Sequence, residues 1–261
     1  MKRTQTLLAL PLLLAASSVE ASERRFTYTY ESLVLNPGDV EIEPWTTVRI
    51  GRDDFYNRFD HRFEIELGVA EQLMTAWYVN VTARARDTAD GRQSELEWGG
   101  ISNEWKLKLS DPVADALGSA LYLEWSYAPT EAELEAKLIA DKRFGDFLAA
   151  VNLVGEYELK FETDESETEI KFELDAALAY VSEHFSAGVE LRNHNVVEHG
   201  EWEASALFVG PTLGYKAERW WTAATILAQV ANLKPAEGSD STLDLAGHER
   251  LEARILIGLH L

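Results

Sequence analysis

Apolar and polar residues alternate one by one through most of this chain. In Phe63-Glu64-Ile65-Glu66-Leu67-Gly68-Val69 every odd position is apolar and every even one is charged or small. The pattern returns in Phe147 to Phe161, Ile170 to Tyr180 and Ile255 to Leu261. A strand sends successive side chains to opposite faces, so each segment has one greasy and one wet face. From Asp39 onward the spacing predicts about twelve such strands, in segments of about ten residues that suit a membrane-crossing barrel.

Between the segments the connections alternate in character. Short ones fall at 70–72, 143–146, 182–183 and 216–219, and long polar ones at 87–95, 162–168, 195–202 and 232–247. The pair 110–116 and 128–132 departs from this alternation. Short turns on one rim and longer loops on the other are the habit of transmembrane barrels, whose greasy faces meet lipid and whose wet faces line a lumen. The expected fold is therefore all-β, a transmembrane antiparallel β-barrel of about 12 strands in an up-and-down meander. A secreted β-barrel or sandwich, with the greasy faces turned inward, is the rival fold. An even strand count puts both chain ends on one rim, the periplasmic one. Residues 22–38 are expected there as a periplasmic N-terminal segment, or folded up into the lumen, and 39–261 form the barrel. The long connection Asn232 to Gly247 is expected to be exposed on the opposite, extracellular rim.

The opening residues have a different pattern. Lys2 and Arg3 precede an apolar run from Leu7 to Ala16, and Val19-Glu20-Ala21 offers small residues for cleavage. Residues 1–21 read as a secretory signal peptide. The expected location is the outer membrane of a Gram-negative bacterium.

Composition narrows the partners. A formal charge of -21 without a polybasic cluster speaks against nucleic acid. The absence of cysteine removes disulfides and thiolate metal sites. No cofactor or metal site is expected; the acidic stretch Asp164-Glu165-Ser166-Glu167 lacks the spaced ligands and glycine of a calcium loop. The expected partners are outer-membrane lipid and lipopolysaccharide, the barrel-assembly machinery, and an unidentified small solute. Trp105, Trp125, Tyr127, Tyr157, Phe161, Tyr180, Phe185, Tyr215 and Trp220 lie near strand ends on the apolar parity. Aromatic belts at membrane interfaces need rings there.

The wet faces supply the candidate site. The expected lumen-lining residues are Glu64, Glu66, Arg84, Arg86, Lys106, Lys108, Glu124, Glu133, Glu135, Lys137, Glu156, Glu158, Lys171, Glu173, Asp175, Glu190, Arg192 and Arg254. Charges away from bulk water must be paired or hydrated, so cross-strand ion pairs are expected. Glu64 and Glu66 are placed near Arg84 and Arg86, because a tight turn joins their strands. A charged lumen either holds a barrel open or selects solutes, and about twelve strands leave room for a narrow channel. The chain is thus read as a channel or binding barrel for small solutes and not as an enzyme. The alternatives are a structural barrel with a closed lumen, and a lipid hydrolase with a rim histidine and serine. For hydrolysis His194, His199 and His248 and the serines Ser102, Ser186 and Ser205 are the candidates, without a Gly-x-Ser-x-Gly elbow.

Leu121-Tyr122-Leu123-Glu124, Glu133-Leu134-Glu135-Ala136-Lys137-Leu138, Asn152-Leu153-Val154-Gly155-Glu156 and Phe208-Val209-Gly210-Pro211 carry a resemblance. They resemble uncharacterised proteobacterial outer-membrane proteins similar to the transporters named for the phenol-degradation MetA pathway. The resemblance spans most of the chain after the leader and rests on strand-and-turn patterns. It implies an outer-membrane barrel and passage of small, aromatic solutes, and assigns no functional residues.

Overall fold

A computed structural model describes residues 23–161, 166–235 and 241–261. The signal peptide expected at 1–21 lies outside them. The strands are β1 (Val40–Ile50), β2 (Tyr56–Ala70), β3 (Leu73–Thr88), β4 (Gly91–Ser110), β5 (Gly118–Tyr127) and β6 (Glu131–Phe144). They continue as β7 (Phe147–Phe161), β8 (Ser166–Val181), β9 (Phe185–Glu198), β10 (Glu201–Lys216), β11 (Trp220–Asn232) and β12 (Leu251–His260). Each pairs antiparallel with its sequence neighbours, and β12 returns to β1, closing the barrel. Closure leaves no unpaired sheet edge, which lipid does not tolerate.

The outer face is the apolar parity. Phe63 is 58% exposed and Leu153 53% exposed, whereas Glu64 and Glu66 on the other parity are buried. Leu138, Leu153 and Leu174 sit side by side across β6, β7 and β8 and form part of the greasy band. At the rim carrying residues 23 and 261, here the terminal rim, Phe147 meets Tyr180 at 5.8 Å between ring centroids and Phe185 meets Tyr215 at 5.0 Å. The opposite rim is the distal rim.

Two long polar connections of the sequence reading are strand instead. The ladder of β3 and β4 continues to Thr88 and Gly91, and that of β9 and β10 to Glu198 and Glu201. His199 and Gly200 both have positive φ, 51° and 81°, as a two-residue hairpin turn with the twist of its strands requires. Polar residues occupy both faces there, so the apolar alternation fades while the hydrogen-bonded ladder runs on. Part of the third, at 162–165, lies outside the described residues.

The expected pairing of Glu64 and Glu66 with Arg84 and Arg86 does not occur. Glu64 stands opposite Tyr78, and Glu66 opposite Ala76. Distances from a tight turn mirror each other across a hairpin. Arg84 is six residues beyond Tyr78, roughly 20 Å at the rise of a strand. It pairs instead with Glu95 and Glu97 on β4, at 3.4 and 3.5 Å.

The N-terminal segment takes the second course left open by the sequence. Residues 23–35 enter at the terminal rim, rise into the lumen and return to it. Phe26, Tyr28 and Tyr30 fill three apolar sockets in the inner wall. Phe26 packs with Leu148, Ala150, Ala177, Ala179 and Val181; Tyr28 with Ala206, Phe208 and Leu227; Tyr30 with Ala120, Tyr122 and Ile139. Small inward-facing alanines make the sockets, and each buried ring contributes about 1.5–3 kcal/mol. Where the segment passes the wall, its backbone lies against Gly68: a Cβ there would fall 1.9 Å from the carbonyl oxygen of Asn36.

Of the connection expected to be exposed, 232–247, the described residues 232–235 and 241–247 are exposed or half-buried, and the chain turns inward just after them. His248 and Glu249 are buried, and Gln229 exchanges hydrogen bonds with the backbone of Asp244 at 2.6 and 2.9 Å.

Candidate lumen site

The apex of the N-terminal segment is held by one carboxylate. Glu190, fully buried on β9, accepts the backbone N–H groups of Thr27, Tyr28 and Thr29 at 2.8, 2.8 and 2.9 Å. Three donors converging on a carboxylate resemble the anion-binding nests of backbone amides. Asn152 on β7 adds a reciprocal pair: it accepts from the Tyr30 N–H and donates to the Tyr30 carbonyl at 3.0 Å. Arg25 N–H donates to Glu31 at 2.8 Å and closes the base of the loop.

The tyrosine rings meet wall cations face on. The Arg254 guanidinium lies 4.0 Å from the Tyr28 centroid, and Arg192 5.7 Å. Lys137 lies 4.1 Å from Tyr30 and 4.6 Å from Tyr122; Arg24, from the segment itself, lies 4.0 Å from Tyr30. Such contacts strengthen when desolvated. Arg254 also donates to the Thr27 carbonyl at 3.1 Å and to Thr47 at 2.8 Å.

Around this segment the expected lumen residues fall into groups. Glu64, Glu66 and Lys106 are buried beside Glu41, Glu43 and Glu104, with Arg24 3.7 Å from Glu43. Carboxylate oxygens of Glu43, Glu64 and Glu66 lie within 4.8 Å of one another. Glu124 pairs with Arg62 and accepts from the Tyr122 hydroxyl at 2.5 Å. Glu135 pairs with Lys137 at 2.9 Å. Glu133, Glu156 and Glu158 form a second carboxylate group, and the Lys171 ammonium pairs with the latter two, Glu158 at 2.5 Å. Glu173 and Glu252 clamp Arg192 from two sides, the latter at 3.0 Å through both oxygens, and Asp175 is buried nearby. Lys108 and Arg86 lie at opposite rims, Lys108 bound to Asp111 at 2.7 Å and Arg86 3.6 Å from Glu95.

Several inner residues were outside the expected set. Arg62 stacks on Tyr78 at 4.3 Å and Trp45 at 5.0 Å, and Asp60 joins Arg49 to Arg58. Both lie on the parity of Glu64, which was the available signal. The segment carried one too: Phe26-Thr27-Tyr28-Thr29-Tyr30 alternates aromatic and hydroxyl residues.

The hydrolase candidates do not assemble. Both nitrogens of His248 are occupied, Nδ1 by Asp244 at 2.6 Å and Nε2 by His194 at 2.7 Å. Ser102 is bound by Arg62 and Asn80, and Ser205 by Asn193 and Asn195. Ser186 sits at the start of β9, by the terminal rim.

This closed meander, greasy outside and charged inside, has the architecture of outer-membrane barrels. The chain belongs to the Family of unknown function (DUF6662), whose model matches residues 18–261. Among curated proteins none matches the sequence. Among solved structures it is similar to the COG4313 outer membrane channel from Pseudomonas putida F1, at 11% identity and a TM-score of 0.60, covering 88% of this chain and 98% of that one. It is also similar to the β domain of the Bordetella autotransporter Brka, at 10% identity and a TM-score of 0.55, covering 87% and 100%.

Proposed function

We propose that the protein is an outer-membrane channel for small aromatic or charged solutes, closed at rest by its own N-terminal segment. The observation that carries this reading is the seating of Tyr28 and Tyr30. Each ring lies in an apolar socket with cations over its face. A wall built to hold phenol rings this way suits a solute bearing an aromatic ring, and a carboxylate on that solute would meet Lys137 or Arg254. The likeness of fold to a solved outer membrane channel supports passage as the activity. The paired charges of the lumen are the groups that would tune selectivity.

In this reading the terminal rim faces the periplasm and the distal rim the cell exterior. The greasy band meets outer-membrane lipid and lipopolysaccharide after insertion by the barrel-assembly machinery.

Liposome swelling with the purified full chain tests the proposal. Benzoate should enter faster than cyclohexanecarboxylate, and Lys137→Ala should narrow that preference. Entry of neither solute above protein-free liposomes would overturn the channel reading. Equal entry of both would overturn the preference for aromatic rings.

A further inference from the structure

We propose that the Asp244–His248–His194 chain is a proton-operated latch, holding residues 241–250 of the β11–β12 connection against β9 at the distal rim. Two imidazoles bound nitrogen to nitrogen constrain their protons. His248 Nδ1 faces the Asp244 carboxylate at 2.6 Å, and its Nε2 faces His194 Nδ1 at 2.7 Å. One of these two facing nitrogens must carry hydrogen and the other a lone pair. The pair therefore tolerates one positive charge. With His248 protonated, it donates to both Asp244 and His194. A second proton, on His194, leaves two N–H groups pointing at each other, and two adjacent cations. The bond between connection and wall is then lost.

Burial of His194, whose side chain is 13% exposed, disfavours that second proton while the connection is docked, and release into water removes the penalty, so acid favours the released form. On β8, Glu173 lies 3.6 Å from His194 Nε2 and favours a charged ring. Arg192 on β9 opposes it, but is clamped by Glu173 and by Glu252 of β12. Lys171 on β8 is engaged by Glu156 and Glu158. Glu249 of the connection is taken by Arg52 at 2.6 Å. On β10 the neighbour is the uncharged Phe208 ring, 6.1 Å from His248. An imidazole released into water takes up a proton in histidine's ordinary range, whereas the docked pair resists its second proton, so falling pH shifts the balance toward release. The other described ties do not depend on these imidazoles: the Gln229 bonds to the backbone of Asp244 and Glu249, Asp53 N–H to the Leu245 carbonyl at 3.1 Å, Asn232 N–H to the Thr242 carbonyl at 2.8 Å, and the Arg52–Glu249 ion pair.

The chain has no cysteine, so two introduced ones report cleanly. Spin labels at Ala246→Cys on the connection and Ala89→Cys in the β3–β4 turn, in full-length protein in nanodiscs, give a distance by pulsed electron resonance. At pH 7.5 the distribution should be single and narrow. At pH 5 a broad population should appear, its ratio to the docked one growing up to tenfold per pH unit, the linkage limit for one proton. With His194→Asn the distribution should stay narrow at both pH values, because an amide can donate to neutral His248 or accept from its charged form. Gln229→Ala, which removes ties that do not titrate, should raise the undocked population at both pH values and keep the pH response. A wild-type distribution unchanged at pH 5, or a His194→Asn protein that responds as wild type does, would overturn the latch. The release of the connection rests on the contacts above, but its effect on passage rests on the channel reading. Undocking at pH 5 with no change in benzoate entry would uphold the latch and show that the connection does not control passage, whereas the channel reading stands or falls on entry itself.

Discussion

Replacing Glu190 with alanine should release the N-terminal segment from the lumen. The substitution orphans the three backbone N–H groups of Thr27, Tyr28 and Thr29, all now bound at 2.8–2.9 Å in a buried place. An unsatisfied buried donor costs about 1–3 kcal/mol, so the summed cost is about 3–9 kcal/mol before water enters the space left by the carboxylate. With water restoring part of it, docking should weaken by about 3 kcal/mol, or roughly a hundredfold in the docked-to-free ratio at 1.4 kcal/mol per decade. A cysteine at Thr29 reports this, since the Thr29 hydroxyl has no hydrogen-bond partner among the described residues. Maleimide labelling in detergent-free vesicles reads the fraction of time the apex is free. Glu190→Ala should speed labelling about a hundredfold, on the logic that local opening limits modification of a buried group. Asn152→Ala, which loses only the two Tyr30 bonds, should have a smaller effect. Labelling no faster in Glu190→Ala than in the parent would refute the idea that one carboxylate anchors the segment.

Other expectations follow from single contacts. Gly68→Val should expel the base of the segment, because even a Cβ would lie 1.9 Å from the Asn36 carbonyl; Thr29 labelling should rise without loss of the heat-modifiable barrel on a gel. Leu153→Arg, within the row Leu138–Leu153–Leu174, should cost about 2–4 kcal/mol if that row lies at the bilayer midplane, measured by reversible folding into vesicles; a cost near zero would remove the row from the lipid. Asp111, in the β4–β5 turn, accepts from Lys108, then from Ala114 N–H and Val113 N–H, and these hold its carboxyl down to about 2. A depressed folded value means the contribution is present above the ordinary aspartate range, near pH 4, and is lost as pH falls through about 2. Asp111→Asn should therefore be less stable than the parent at pH 5, by a small amount for so exposed a group, and indistinguishable from it at pH 1.5; an equal gap at both pH values would contradict this.

The barrel was legible because lipid imposes a strict rule on one face. Phe63, Ile65, Trp77 and Leu153 must be apolar, so strand parity can be read from them directly. Beyond the lipid the rule lapses, and the polar stretch 87–95 has the look of a loop although its ladder continues to Thr88 and Gly91. Facing was easier than register. Glu64 and Arg84 do share the inner face, but mirror symmetry about the 71–72 turn keeps them apart. The interior apolar sockets were hidden, because single alanines such as Ala150, Ala179 and Ala206 look neutral until a ring occupies the space above them. The partners of the segment, Glu190 and Asn152, lie more than a hundred residues away in sequence, and no local pattern announces contacts of that separation. The His194–His248 contact is similar: both side chains stand out in the sequence, but their meeting depends on how residues 244–248 fold inward.

The N-terminal segment is joined to the barrel directly through β1, whose first residue, Val40, lies at the rim where the segment enters. A segment on so short a tether never diffuses away after undocking. Its effective concentration at its own sockets is of millimolar order. A solute that competes for those sockets must therefore match a millimolar rival. If the segment closes a channel as proposed, weak solutes at trace levels would leave the barrel shut, and only an abundant or tightly held one would keep it open.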